Sequence, residues 1–255
     1  MLAGVWDGGA MSARDVMALA RRITALTGAG VSLESGVVRF RFDASAFLTS
    51  ARVRREAWES WLDDPMWTAE PNAAHRALTG LQRIGRLRSL LTQNVDGLHQ
   101  RAGSSSVIEL HGSMSRVVCV SCGAVGAMSE ALARVRGGEL PPDCQVCGGV
   151  LRPAAVAFGE PLHDDVLRAA RMAVLDCDAM LVAGTSLTVE PAAQLVPLAA
   201  KAGAAVVICS LDPTPYDSLA AAVVREPAAS ALPALAAVPV VATGPIRTWG
   251  DPSTW

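Results

Sequence analysis

Residues 179–186 read Ala179-Met180-Leu181-Val182-Ala183-Gly184-Thr185-Ser186, an apolar run that ends in a glycine and two hydroxyl residues. An apolar run without alternation is typical of a strand covered on both faces, as in a parallel sheet. Similar patterns predict strands over 23–26, 87–91, 107–110 and 204–208. Helical patterns alternate with them, over 14–24, 42–67, 71–81 and 191–200. This alternation predicts an α/β protein with a Rossmann-like, doubly wound parallel sheet, whose ligands bind at the carboxyl ends of the strands.

The composition narrows the possible partners and location. The chain has 255 residues and a formal charge of −2. Proteins that bind nucleic acids usually carry an excess of positive charge, which contacts the phosphates. This chain has no such excess, so nucleic acid is not an expected partner. Its longest apolar run, 202–211, is shorter than the roughly 18 residues of a membrane-spanning helix, so no membrane is expected either. The first ten residues lack the order of a secretory signal, and six cysteines without one favour reduced thiols in the cytoplasm.

Four of these cysteines form two Cys-x-x-Cys pairs, Cys119/Cys122 and Cys144/Cys147, with 21 residues between the pairs. This spacing predicts one structural Zn²⁺ held by four thiolates, as in a zinc ribbon. The alternative is a set of unpaired buried thiols. The paired spacing, with a glycine directly after each pair, argues against that alternative. Four thiolates fill the coordination shell, so the metal should hold the fold and take no part in chemistry.

Two glycine-containing turns follow predicted strands, Gly28-Ala29-Gly30 and Gly184-Thr185-Ser186. Such turns allow backbone N–H groups to approach a pyrophosphate. Either turn alone is equally consistent with a simple bend, and Leu33 occupies the place of the third glycine of the dinucleotide fingerprint. Two such turns in one α/β chain favour a nucleotide ligand.

Polar residues also follow the predicted strands. Asn94 and Asp96 come after 87–91, and His111 comes directly after 107–110. Each has an ordinary structural explanation, since Asn and Asp form turns and a single histidine is more often structural. His75 and His99 are unremarkable by themselves. Because parallel strands end at one edge of the sheet, convergence of these side chains predicts a site there.

The segments described so far resemble those of the sirtuins, the NAD-dependent protein lysine deacylases, from about Ala18 to Leu235. The matching segments are Gly28–Gly36, Thr92–Asp96, His111-Gly112, the four cysteines, Val156–Glu160 and Gly184–Leu187. The resemblance implies a Rossmann-like NAD-binding domain formed by 13–112 and 153–243, with a helical insert at about 43–70. It also implies a small zinc-binding domain at 113–152 and flexible tails at 1–12 and 244–255.

The resemblance assigns a role to each site residue. The catalytic residues would be His111, as general base, with Asn94 and Asp96. The residues that bind the co-substrate NAD would be Gly28, Ala29, Gly30, Ser32, Phe40, Arg41, Gln93, Asn94, Asp96, Gly184, Thr185, Ser186 and Ser210. The residues that bind the acylated lysine of a protein or peptide would be Val156, Phe158, Gly159 and Glu160. The expected products are free lysine, nicotinamide and O-acyl-ADP-ribose.

Three features depart from the family's pattern. Arg39 stands where the family has an aspartate, and Ser210 stands where it has an asparagine. The loop that closes over NAD is shortened, because the chain passes almost directly from Arg41 to Phe42-Asp43-Ala44. Closing loops exclude water, so a shortened loop predicts weaker NAD binding or more hydrolysis. The alternative functions are therefore an ADP-ribosyltransferase or NAD hydrolase, and a weakly active NAD-binding regulatory module.

Overall fold

The computed structural model describes residues 11–38 and 43–240. Arg39 and the predicted NAD contacts Phe40 and Arg41 lie outside these ranges. The predicted flexible tails, apart from residues 11 and 12, also lie outside them.

Strands and helices alternate through the described residues. In chain order the strands are β1 (Ile23–Thr27), β2 (Leu87–Thr92), β3 (Val107–Glu109), β4 (Gly112–Cys119), β5 (Val125–Ala127), β6 (Leu151–Ala155), β7 (Ala179–Ala183), β8 (Ala205–Cys209) and β9 (Ala222–Val224). The helices are α1 (Ala13–Leu19), α2 (Ala44–Thr49), α3 (Ala51–Leu62), α4 (Ala73–Arg83), α5 (Leu98–Arg101), α6 (Met128–Arg136), α7 (Asp164–Leu175), α8 (Leu195–Lys201) and α9 (Ala228–Ala236). Within the described ranges, none of these helices has both the length and the apolar character required to cross a bilayer.

The large domain is built on a parallel sheet with the strand order β3-β2-β1-β7-β8-β9. All residues of β1, β7 and β8 are buried, because helices cover both faces of the sheet. The chain runs outward from β1 to β3 and then returns to β7 on the other side of β1. A doubly wound sheet binds its ligand at this reversal of direction, and both glycine turns lie there. The predicted fold class is confirmed.

Two predicted helices differ from those in the structure. The helix predicted over 14–24 ends at Leu19, since Ala20 is extended and β1 begins at Ile23. The helix predicted over 42–67 is divided at Ser50, which is extended and caps the next helix by accepting a hydrogen bond from the Val53 N–H at 3.4 Å. It also ends early, at Leu62, and Pro65–Trp67 forms a separate 3₁₀ turn. Apolar periodicity alone does not mark the breaks at Ala20 and Ser50, because both depend on the backbone conformation of one small residue.

A smaller lobe contains the antiparallel sheet β5-β4-β6, helix α6 and the four cysteines. Its core also includes side chains from α2 and α3, among them Phe47, Trp58 and Trp61, packed with Met114 and Met128. Arg136 of α6 donates a hydrogen bond to the Leu62 carbonyl oxygen at 2.8 Å. The helical insert therefore packs with the cysteine-bearing segment, and we call these two parts together the small lobe.

Arg86 joins the ends of the large domain. Its guanidinium is buried and donates to the Val238 carbonyl oxygen at 2.9 Å, to the Met17 carbonyl oxygen and to the Ala20 carbonyl oxygen at 3.4 Å. These acceptors lie at the end of α1 and just after α9. One side chain beside β2 thus satisfies backbone groups from both ends of the described chain.

Candidate active site

The two glycine turns are in direct contact at the carboxyl ends of β1 and β7. The Gly30 N–H donates to the Gly184 carbonyl oxygen at 2.8 Å. A Cβ on Gly30 would lie 2.7 Å from the Gly184 Cα, and a Cβ on Gly28 would lie 2.7 Å from the Thr185 Cβ. Gly184 also has a positive φ of 62°. These glycines are therefore required for the two turns to pack together, in addition to any approach of a ligand.

Ser32, Asn94 and Asp96 form a hydrogen-bonded cluster beside these turns. The Asn94 amide nitrogen donates to the Gly28 carbonyl oxygen and to Ser32 Oγ, both at 3.1 Å. Ser32 Oγ donates in turn to Asp96 Oδ2 at 2.7 Å. The other carboxylate oxygen, Oδ1, accepts from the Leu98 N–H at 2.8 Å. The cluster fixes the orientation of an amide and a carboxylate at the edge of the sheet.

His111 lies two residues after the end of β3, and its tautomer follows from its partner. Nδ1 is 2.9 Å from the Gln93 carbonyl oxygen, and because a carbonyl only accepts, Nδ1 carries the proton. Nε2 then has a free lone pair, as a general base requires. Burial lowers the pKa of His111, with the bond to Gln93 acting in the opposite direction. The imidazole is therefore neutral and available to accept a proton near pH 7.

The next residue, Gly112, begins β4 and connects the large sheet to the small lobe. It has a positive φ of 70°, and a Cβ at this position would collide with the Ala154 carbonyl oxygen. Only glycine satisfies both conditions. The backbone beside His111 is thus held tightly against β6.

The residues predicted to bind the acylated lysine follow β6 in a loop, which we call the peptide loop (156–160). The Val156 N–H donates to the His111 carbonyl oxygen at 2.8 Å, so the loop is bonded directly to the residue of the predicted base. Phe158 is 95% exposed and Gly159 has a positive φ of 86°. Glu160 instead turns back to form an ion pair with Arg152.

The remaining predicted NAD contacts lie at the carboxyl ends of β1, β7 and β8. Thr185 Oγ1 accepts from the Leu187 N–H at 3.2 Å, and Ser186 Oγ is 2.8 Å from Thr188 Oγ1. Ser210 is buried directly after β8, and its carbonyl oxygen accepts from Arg225 at 3.0 Å. Ala29 lies in the short 3₁₀ turn between the two glycines of the first turn. The described residues thus form one continuous edge from His111 to Ser210.

The four cysteines converge in the small lobe. Their sulfur atoms all lie within 4.8 Å of one another, with 3.5 Å between Cys119 and Cys147 and 3.8 Å between Cys122 and Cys144. Zn–S bonds of about 2.3 Å in a tetrahedron separate sulfur atoms by about 3.8 Å. The donor set and its spacing fit one structural zinc ion.

A buried polar layer beneath the site was missed by the sequence analysis. His99 Nε2 is 2.9 Å from Thr27 Oγ1, which is 2.9 Å from Thr92 Oγ1, and Thr92 Oγ1 accepts from the Asn94 N–H at 3.0 Å. The rings of His75 and His99 are 4.8 Å apart. The available signal was His99, eight residues after the predicted strand 87–91, together with His75 near the start of the helix predicted over 71–81.

Asn72 belongs to the same layer. Its side-chain nitrogen donates to the Val31 carbonyl oxygen at 2.7 Å and to Ser35 Oγ at 3.1 Å, while its oxygen caps α4. It thereby ties the start of α4 to the turn that carries Ser32. The Pro-Asn pair before an apolar helix was recognisable as a helix start, but not as a contact to that turn.

The sequence of this chain is similar to those of a known protein family. Residues 28–191 match the Sir2 family. NAD-dependent protein deacetylase 2 of Streptomyces coelicolor is 46% identical over 227 residues, which cover 82% of this chain and 94% of the relative. An NAD-dependent protein deacylase of Aeropyrum pernix is 42% identical over 230 residues, which cover 85% of this chain and 89% of the relative.

Solved structures give the same result. The crystal structure of a Sir2 homolog–NAD complex has a TM-score of 0.78 and 37% identity, covering 88% of this chain and 91% of that chain. The structure of Sir2Tm bound to a propionylated peptide has a TM-score of 0.79 and 34% identity, covering 86% of this chain and 93% of that chain. At these coverages the likeness extends over both lobes.

Proposed function

The chain belongs to the Sir2 family, and from that premise we propose that it is an NAD-dependent protein lysine deacylase with His111 as its general base. The observation that carries this assignment is the bond from His111 Nδ1 to the Gln93 carbonyl oxygen. It leaves Nε2 unprotonated, and its partner Gln93 directly precedes Asn94 of the Ser32–Asn94–Asp96 cluster, at the sheet edge where a dinucleotide binds.

NAD supplies an activated glycosidic carbon, with nicotinamide as the leaving group and ADP-ribose as the acyl acceptor. The Gly28, Gly30 and Gly184 N–H groups already donate within the protein, so the turn residues that approach the pyrophosphate are Ala29, Thr185 and Ser186, with Ser210 further along the same edge. Asn94 and Asp96 hold the ribose and the carboxamide in orientation. His111 Nε2 removes a proton from a ribose hydroxyl.

The acylated lysine of a protein or peptide is the second substrate. Val156 is half-exposed and Phe158 and Gly159 are exposed, whereas Ala157 between them is buried. Backbone groups at 156, 158 and 159 can pair with an extended peptide and so accept many sequences. We infer an uncharged acyl group, such as acetyl. The segment Trp58-Glu59-Ser60-Trp61 offers no cation for an acidic acyl chain, and both of its tryptophans are buried in the small lobe.

We also place the protein in the cytoplasm. The zinc site needs four cysteines as thiolates, and these persist in a reducing compartment. Oxidation to disulfides would remove the metal ligands.

A second reaction, transfer of ADP-ribose to water, is favoured by the segment after Arg41. Helix α2 already begins at Ala44, with Asp43 as its N-cap, so few residues are available to cover bound NAD. Incomplete exclusion of water would increase nicotinamide release in the absence of peptide.

The test is nicotinamide release measured with and without an acetylated peptide, with mass spectrometry of the products. We expect peptide-dependent release together with O-acyl-ADP-ribose. The variant His111→Ala should lose that product, whereas His163→Ala, at an exposed position before α7, is the matched control. Release that is independent of peptide, with ADP-ribose alone as product, would replace the proposal by NAD hydrolysis.

A further inference from the structure

Arg152 and Glu160 form a two-point ion pair at the base of the peptide loop. Arg152 Nη1 donates to Glu160 Oε1 at 2.6 Å, and Nη2 donates to Oε2 at 2.7 Å. The Arg152 side chain is 14% exposed and that of Glu160 is 33% exposed. A bidentate pair of this kind fixes the relative orientation of the guanidinium and the carboxylate as well as their separation. Its partial burial reduces the screening of the pair by salt.

The same two side chains also bind the backbone on both sides of Val156. Arg152 Nη2 donates to the Ala155 carbonyl oxygen at 3.0 Å, and Glu160 Oε2 accepts from the Ala157 N–H at 2.8 Å. Val156 itself donates its N–H to the His111 carbonyl oxygen. The ion pair therefore brackets the one residue that bonds the peptide loop to the backbone of the general base.

Glu160 already accepts three hydrogen bonds within the protein, two from Arg152 and one from Ala157. A carboxylate has about four lone-pair sites, so little of its capacity remains for a substrate. Its side chain folds back under the loop, while Phe158 is the residue most exposed to a partner. This geometry favours an indirect role.

We propose that Arg152 and Glu160 are positioning residues, which set the separation between the bound peptide and His111 by holding the backbone of residues 155–157. This rests on the proposed deacylase function. Neither residue touches the substrate; each acts through the loop. The alternative is that Glu160 contacts a basic residue of the peptide directly.

The test compares Glu160→Gln and Arg152→Lys with the control Glu139→Gln. Arg134 and Glu139 form a similar bidentate pair in the small lobe, away from the peptide loop. Glu160→Gln should raise the KM for an acetylated peptide about tenfold, equivalent to about 1.4 kcal/mol, and leave the KM for NAD within about twofold. Arg152→Lys keeps the charge but loses the second hydrogen bond, so it should shift the peptide KM in the same direction. Glu139→Gln should leave both KM values unchanged.

Peptide sequence separates the two roles of Glu160. If the ion pair positions the loop, each variant should raise the KM by the same factor for peptides with and without flanking basic residues. The double variant Arg152→Lys/Glu160→Gln should then raise the peptide KM by less than the product of the two single-variant factors, because both single changes remove the same interaction. A loss confined to basic peptides, seen in Glu160→Gln and not in Arg152→Lys, would overturn the inference in favour of direct contact.

Amide hydrogen exchange measures the order of the loop backbone directly and does not depend on catalytic turnover. The amides of Val156 and Ala157 should exchange faster in Glu160→Gln than in the wild type, and Glu139→Gln should leave them unchanged. Unaltered exchange of these amides would show that the Arg152–Glu160 pair does not hold the backbone of the loop. If the wild type shows no peptide-dependent nicotinamide release, the deacylase proposal fails, and exchange still decides the structural part.

Discussion

At the scale of single residues, burial and one hydrogen bond determine what His111 can do. The bond to Gln93 fixes which nitrogen carries the proton, and burial disfavours the imidazolium. These two effects prepare the ring as a base, and no carboxylate among the described residues is hydrogen-bonded to it. The role of His111 as base stays a prediction, and its pH dependence is its sharpest test.

We expect kcat/KM to be level near pH 7 to 8 and to fall on acidification, because only neutral His111 accepts a proton. Since its pKa lies below the ordinary 6.5, the midpoint of this fall should also lie below 6.5. His111→Ala should reduce kcat/KM by about 10²- to 10⁴-fold with unchanged circular dichroism. A midpoint above pH 6.5 in the wild type would contradict the buried, neutral base.

His75 and His99 should make the protein sensitive to acid. Burial, the largest cause, lowers the pKa of His75 to about 4 and that of His99 to about 3. Between these values and about 6.5 the unfolded chain binds protons that the folded chain does not, so stability is complete above pH 6.5 and is lost as the pH falls. Each histidine should contribute a loss of about 2 kcal/mol between pH 7.5 and pH 5.

Urea unfolding of the wild type and of His75→Gln at these two pH values measures that loss. The variant should show a smaller difference in the free energy of unfolding between pH 7.5 and pH 5 than the wild type does. His163→Gln, at an exposed position, is the control. An identical pH dependence in wild type and His75→Gln would show that the buried ring does not govern it.

At the scale of elements, Gly112 connects the end of β3 to the first strand of the small lobe. Gly112→Ala should destabilise the protein by more than the roughly 1–2 kcal/mol of a left-handed residue, because its Cβ also meets the Ala154 carbonyl oxygen. Gly203→Ala is the matched control, since Gly203 has a φ of 89° and its Cβ would meet nothing within 4 Å. Thermal unfolding and peptide KM should both change more for Gly112→Ala, and equal effects would rule out the steric explanation.

The sequence predicted those elements whose signal is local. β1, β7 and β8 are apolar throughout because both faces are covered, so their patterns were unambiguous. The end of α1 was not recognisable, because the apolar spacing continues past Leu19 while the backbone becomes extended. Local pattern thus predicted where elements exist better than where they stop.

Long-range contacts account for the rest of what the sequence could not predict. Asn94, Asp96 and His111 could be predicted to lie at one edge of the sheet, because each follows the carboxyl end of a parallel strand. Glu160 was expected to bind substrate, and only the three-dimensional structure brings Arg152, eight residues earlier, onto its carboxylate. The packing of Trp58 and Trp61 with the cysteine-bearing segment likewise depends on contacts that no spacing rule encodes.

At the scale of the whole molecule, the zinc site and the helical insert share one hydrophobic core. Cys119 and Cys144 belong to the same cluster as Trp58 and Trp61. In a protein with Trp6, Trp249 and Trp255 replaced by Phe, emission comes only from Trp58, Trp61 and Trp67. Removing zinc with a chelator, or by Cys144→Ser, should shift this emission to longer wavelength as the core admits water.

Zinc content and emission are measured together in this experiment. Cys177→Ser, which changes a buried cysteine outside the cluster, should retain both the metal and the wild-type emission. Loss of zinc with unchanged emission and full activity would show that the insert is stable without the metal, contrary to the shared core.

Arg86 determines how far the polypeptide can be trimmed at its carboxyl end. A chain that stops after Val240 keeps the Val238 acceptor, whereas one that stops after Ala236 leaves a buried guanidinium without it. Because the Met17 and Ala20 carbonyl oxygens still accept from Arg86, the loss is that of one hydrogen bond from a charged donor, about 1.5–3 kcal/mol, which is a large share of the stability of an ordinary domain. A carboxypeptidase digesting from that end should therefore slow near Val238, and its limit product would mark the shortest form that stays folded.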